Sequence, residues 1–279
     1  MKAWWRLEAL QVRPVAAYWK PYLDVLPPRD SSNFGPTPDF WSNEDISKLE
    51  LPQMIDMAME RKSNMEALAK DKSISLDELQ IATWLVNSRG ITLVDNQDNE
   101  EIDDEMIAEY LHEESDNTEG EEDSFSTTCV LIPLLDMINH SSKNFNTYLT
   151  VLGDGESEDD GDEGELFYAV IARRDIPKGE ELLISYGSKE DTSLELLLHY
   201  GFVPDDNPYD LNFMAWNAAE EDEMANCWST TLQQDQEQLQ SLRASEASEI
   251  DVEETILKFR IRMKKACEEY NEIVESGTE

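Results

Sequence analysis

The sequence predicts an α+β fold built from short strands and amphipathic helices, and three observations carry that prediction. Apolar residues recur at helical spacing over 46–70 and again over 75–89. Two strand-like runs, Asn146 to Leu152 and Leu166 to Ala172, flank an acidic loop. Two long polar stretches of helical character follow, roughly 218–246 and 250–275. Helices and strands segregated along the chain, rather than alternating, are the pattern of an α+β architecture.

Taken in order, Trp19 to Val25 reads as a short helix or strand, followed by a connection rich in proline (Pro27, Pro28, Pro36, Pro38). Ser42, with Asp45 three residues on, is a capping-box-like helix start. From Ile46 to Lys70 the apolar positions Leu51, Met54, Ile55, Ala58 and Met59 mark one helix face, with Pro52 near a helix start. A second helix is capped by Ser75 and runs through Leu79, Trp84 and Leu85 to Arg89, after which Gly90 fits the left-handed position past the end. Val130–Leu135 reads as a buried strand that turns through Asp136, Met137 and Ile138 to Asn139 and His140. Asp175–Pro177–Gly179 is a tight turn, Glu180 to Ser185 a strand, and Tyr186–Gly187 its end. Asp205 to Pro208 make another turn. In the last helix Ile250, Ile256, Leu257, Ile261, Ala266, Tyr270 and Ile273 form an apolar stripe. No internal repeat is present.

Charge is the strongest compositional signal. The 279 residues carry 62 acidic and 22 basic side chains, a formal net charge of −40. That excludes a nucleic-acid-binding face of the usual kind, because neutralising phosphates needs clustered Lys and Arg. It suits basic protein partners. Residues 95–123 hold 15 Asp or Glu and no Lys or Arg, and residues 154–165 hold eight acids among 12 positions. Neither tract has apolar surface to offset the entropy of ordering, so both are expected as surface insertions. The second lacks the flanking helices of an EF-hand, and no metal site is expected. Cys129, Cys227 and Cys267 have no metal-like spacing, which fits a reduced, intracellular protein; cytoplasm, nucleus and an organelle all stay open as its compartment. No apolar stretch approaches the length of a membrane span, and the N-terminus lacks a signal-peptide core.

Two signatures bear the chemistry: LIPLLDMINHSS (131–142) and IPKGEELLISYG (176–187). Alone, Asn139 and His140 fit a turn with local side-chain bonds, and Tyr186 fits a half-buried aromatic at a strand end. Together, in this order and with LLLHYGF (196–202) following, they resemble the catalytic half of SET-domain protein methyltransferases. Within that family they are most similar to the branch of the Rubisco large-subunit lysine methyltransferases and actin-histidine methyltransferases. ATWLVNSRG (82–90) resembles that branch's helix ending in Ser-Arg, and FWSNEDISKL (40–49) its inserted helical region.

The resemblance implies a SET-type β-clip core of short strands, an inserted helical region and a C-terminal helical substrate-binding lobe. On this chain it places the inserted region at 1–128, the catalytic half at 129–210 and the start of the lobe at 211–279. It implies S-adenosylmethionine as cofactor, held by Arg89, Asp136, Asn139 and His140, with Tyr186 both contacting it and serving as the catalytic residue beside the transferred methyl. An Arg fork suits the cofactor carboxylate, although Arg89 equally fits a cation favoured at a helix C-terminus. Tyr200 and Phe202 match the channel for the acceptor side chain, or are core. The implied partner is a protein presenting a lysine in a basic context; a histidine acceptor and a non-catalytic acidic binding module are the alternatives. The Gly-x-Gly strand unit with which complete members begin has no counterpart before Trp41.

Overall fold

The computed structural model of the chain describes residues 20–22, 24–26, 36–95, 126–153, 166–187, 190–217, 227–244 and 252–277. These fall into two compact units, one drawn from Met1–Ser88 and Asp191–Glu279, the other from Arg89–Glu190. The acidic stretches 96–123 and 154–165 and the start of the 218–246 stretch lie outside the described residues, as do Pro27, Pro28 and Ile250.

The regular elements described in the first unit are all helices. Helix α1 (Asn43–Ser47) opens at Ser42, whose hydroxyl accepts the Asp45 amide at 3.0 Å, the cap that the sequence predicts. The helix expected over 46–70 is interrupted. Glu50 has φ 64°, and Leu51 is extended ahead of α2 (Pro52–Lys72). The physical reason is Pro52: its ring drives the preceding residue out of the helical region, while its missing N–H costs nothing at a first helical position. Next comes α3 (Leu76–Arg89), whose last residue begins the second unit.

After the second unit, α4 (Ser193–Tyr200) starts with a reciprocal capping box between Thr192 and Glu195. It stops at Gly201, φ 82°, where an added Cβ would lie 2.5 Å from the Pro36 ring. Among the described residues three helices follow: α5 (Asp210–Trp216), which the sequence reading missed, α6 (Leu232–Ala244) and α7 (Val252–Ser276). Within the stretch expected as helical over 218–246, Cys227–Thr231 is irregular and α6 begins at Leu232.

One apolar core joins α1, α2, α4, α5 and α7, while Leu79 of α3 packs with Met65 and Ala69 of α2 in a second, smaller one. Trp41, Ile46, Leu49 and Leu51 meet Met54 and Ala58 of α2, Leu194, Leu197 and Leu198 of α4, and Ile256, Phe259, Met263 and Ala266 of α7. The predicted stripe on α7 is therefore inward for most of its length, but Ile273 is 40% exposed, beyond the end of the core. Helix α7 also buries three cations, Arg260, Arg262 and Lys264. Charges taken out of water need close partners. Arg262 Nε donates to Asp210 Oδ2 at 2.6 Å, and Lys264 Nζ to Asp235 Oδ2 at 2.5 Å. Asp210 also accepts the Ser193 amide and hydroxyl, so a single buried carboxylate ties α4, α5 and α7 together.

The second unit holds three two-stranded sheets. Strands β1 (Ile91–Asp95) and β2 (Ser126–Val130) pair antiparallel, as do β4 (Thr147–Gly153) and β5 (Leu166–Ala172), while β3 (Asn139–His140) and β6 (Leu183–Ile184) pair parallel. Two expectations need correction. Of the strand expected over Val130–Leu135 only Val130 is in a strand, as the last residue of β2: Pro133 has no N–H for a ladder, Leu134 has φ 78° and is 77% exposed, and a 3₁₀ turn covers Leu135–Met137. The strand expected over Glu180–Ser185 shrinks to two residues. There a side chain replaces the ladder: buried Asn146 accepts the Leu183 amide through Oδ1 at 2.9 Å and donates through Nδ2 to the Glu181 carbonyl at 2.8 Å. The whole is a mixture of helices with a few short strands and no barrel among the described residues. No helix among them is long and apolar enough to cross a membrane.

Candidate active site

The parallel pair β3–β6 is the point at which the two signature segments meet. Asn139 stands opposite Leu183 and His140 opposite Ile184, and the Ser141 amide continues the ladder to the Ile184 carbonyl at 2.9 Å. Parallel pairing of segments more than forty residues apart requires a connection, and β4 and β5 supply it.

Past the ladder the chain delivers Tyr186. Its hydroxyl donates to the Ile138 carbonyl at 2.7 Å, and its amide donates to His140 Nδ1 at 2.9 Å. The two rings lie 5.2 Å apart between centroids, tilted by 50°. Burial pushes the Tyr186 phenol above its usual pKa, with Arg89 opposing the shift and Asp136 reinforcing it. The phenol is therefore protonated at neutral pH, and its proton is committed to Ile138.

His140 is half-buried, and burial lowers its pKa to about 4, so the ring is neutral. Its Nε2 lies 2.8 Å from the hydroxyl of buried Ser142. Asn139 is exposed and donates through Nδ2 to Glu181 Oε1 at 2.6 Å.

Arg89, at the end of α3, reaches the same segment. Its Nη1 donates to the Asp136 carbonyl at 3.2 Å and to Asp136 Oδ2 at 3.4 Å. The guanidinium is 20% exposed and the Asp136 carboxylate fully buried. Arg89 Nε is buried with no hydrogen-bond partner among the described residues. Leaving such a donor unmet costs about 1–3 kcal/mol, so an orphaned N–H beside a cluster of polar groups suits an incoming anion.

Five of the seven predicted site residues, Arg89, Asp136, Asn139, His140 and Tyr186, thus fall in one compact unit. The other two belong to the first unit. There Tyr200 and Phe202 are half-buried, with centroids 6.2 Å apart, and His199 lies 6.4 Å from Tyr200 edge-on. Sequence reading missed Ser142 and Asn146, which hold the cluster's backbone. Neither has a periodicity or spacing that marks it.

A family model described as the SET domain matches residues 24–187, more than half the chain. This chain belongs to the SET-domain family. The SET match takes in every residue of the β3–β6 crossing and its Tyr186 extension. Two curated relatives are protein methyltransferases. The SET-domain chain is 35% identical over 84 residues to a ribosomal lysine N-methyltransferase, set10, of Schizosaccharomyces pombe, a match covering 30% of this chain and 13% of that protein. It is 24% identical over 194 residues to an actin-histidine N-methyltransferase of Xenopus tropicalis, covering 70% of this chain and 28% of the relative. The matched stretches therefore span well under a third of either relative's length.

Proposed function

We propose that this chain is an S-adenosylmethionine-dependent protein methyltransferase that transfers a methyl group to a side-chain nitrogen, with lysine as the acceptor. The observation that carries the reading is the placement of the Tyr186 hydroxyl, fixed on the Ile138 carbonyl at the crossing of the two signature segments, where a phenol oxygen can face positive charge. S-adenosylmethionine, when bound, supplies a methyl group on a sulfonium. Arg89 would hold the cofactor carboxylate through its unmet Nε–H, which is where an anion relieves a buried donor. Asn139 and the backbone around His140 would take the polar remainder, with Asp136 fixing Arg89.

The protein's part in the reaction is electrostatic and geometric. Tyr186 Oη, fixed before reaction, stabilises a transition state in which positive charge spreads between donor and acceptor. A lysine acceptor has to lose its proton first, and an apolar aromatic lining lowers an ammonium's pKa. Tyr200 and Phe202 are assigned that role by the resemblance.

Two other readings each have an observation behind them. The Xenopus relative acts on a histidine, which favours a histidine acceptor. A net charge of −40 favours a non-catalytic module that captures basic proteins. The three are separated by incubating the purified chain with labelled S-adenosylmethionine and a cell extract, then locating the label by mass spectrometry. Label on lysine supports the proposal, label on histidine moves the acceptor, and no transfer with retained binding of basic proteins leaves the module.

A further inference from the structure

The amide of Tyr186 lies two residues beyond the β3–β6 ladder, which ends at Ile184, so no strand partner holds it there. The imidazole of His140 holds it instead, at 2.9 Å through Nδ1. A backbone amide only donates, so Nδ1 has to be bare to accept it. In a neutral ring the proton then sits on Nε2, where it points at Ser142 Oγ, 2.8 Å away. The opposite tautomer would set Nδ1–H against the Tyr186 N–H and leave the buried ring a clash in place of a bond. Ser142 is 7% exposed, so water does not readily stand in for its hydroxyl.

Both ends of Tyr186 are thereby pinned to one short segment. The hydroxyl is fixed on the Ile138 carbonyl and the amide on the His140 ring, two residues further on. A phenol held at both ends has little freedom to swing, and placement to a few tenths of an ångström is what a methyl transfer needs.

We propose that Ser142 and His140 are positioning residues for Tyr186: the Tyr186 amide takes a bare Nδ1, the Ser142 hydroxyl accepts the Nε2–H that this tautomer of His140 carries, and the ring so held at both nitrogens fixes the direction of the phenol. The imidazole on this view serves Tyr186 through its ring, whatever the backbone of His140 does toward a cofactor. The catalytic half of this inference rests on the proposed function, whereas the tautomer and the amide bond do not.

The test separates the two. The full chain, labelled with nitrogen-15, is compared with Ser142→Ala, Ser142→Thr and His140→Asn, the last keeping an acceptor oxygen near the Nδ1 position. Imidazole nitrogen shifts report the tautomer, and hydrogen exchange reports the Tyr186 amide. Wild type is expected to show a bare Nδ1 and a protonated Nε2. Ser142→Ala is expected to mix the tautomers and speed Tyr186 amide exchange about tenfold, Ser142→Thr to restore both, and His140→Asn to keep the amide protected. In transfer assays Ser142→Ala is expected to lower kcat about tenfold with cofactor Kd unchanged, a split that general loosening would not give. A protonated Nδ1 in wild type, or an amide equally protected in Ser142→Ala, overturns the proposal. If no variant and no wild type transfers methyl, the proposed function falls while the nitrogen shifts still decide the tautomer.

Discussion

Arg89 spends one nitrogen of its guanidinium on Asp136, donating from Nη1 to both the backbone carbonyl and the buried carboxylate, and keeps Nε buried with no partner among the described residues. An ion pair that leaves part of its cation unsatisfied is oriented rather than neutralised. Replacing Arg89 by Lys keeps the charge but loses the fork. Arg89→Lys is therefore expected to weaken S-adenosylmethionine binding about tenfold, or 1.4 kcal/mol, measured by calorimetry. An unchanged Kd would assign Arg89 to the helix terminus alone.

Tyr186→Phe removes the lone pairs and the hydrogen bond to Ile138 while keeping the ring. Transfer is expected to fall about 10²-fold or more, with cofactor Kd within about twofold of wild type. The stranded Ile138 carbonyl should lower stability by about 1 kcal/mol in denaturant titrations. Turnover equal to wild type would reject the role given to this hydroxyl.

Away from the site, Arg262 is paired with Asp210 in the helical unit, both nearly solvent-free. Burial alone raises the Asp210 carboxyl's pKa, and the hydrogen bonds from Ser193 and Arg262 pull against that. Arg262→Met leaves the carboxylate buried and its cation gone. A loss of about 3–5 kcal/mol is expected from urea unfolding. A loss below 1 kcal/mol would mean that the pair is not what joins α4, α5 and α7.

His199 sets a pH dependence. Burial, then the neighbouring Arg61 guanidinium, hold its ring at a pKa of about 4, against 6.5 for a free histidine. Arg61 Nη1 lies 3.1 Å from His199 Nδ1, a contact that a charged ring forfeits. Because the folded-state value is depressed, the unfolded chain takes up the proton first. The associated stability is complete above pH 6.5 and is lost as pH falls toward 4. The stability difference between wild type and His199→Asn should shrink across that window. His140 titrates in the same window but is common to both proteins. A difference that stays flat from pH 7 to 4 would contradict the assignment.

Local signals served the elements whose partners lie close in sequence. The β4–β5 pair starts and ends within a residue of its predicted bounds, and Ser42 caps the helix it marks. Pro52 signalled the break in the 46–70 helix, but the continuous apolar periodicity through Leu51 and Met54 masked it. Leu183–Ile184 was read too long because its hydrogen bonds go to the side chain of Asn146, thirty-seven residues away, which no window on 180–185 contains. The same holds at the site. Asn139, His140 and Tyr186 are legible as motif ends, but Ser142 matters through one contact with a ring. The ring is only two residues away, but its other nitrogen meets the Tyr186 amide only once the chain has crossed itself.

The most direct measurement is a calorimetric titration of the purified chain with S-adenosylmethionine. Saturable binding at one site, weakened in Arg89→Lys and retained in Tyr186→Phe, is the predicted result. No heat of binding at high micromolar cofactor would contradict the proposed function for this chain.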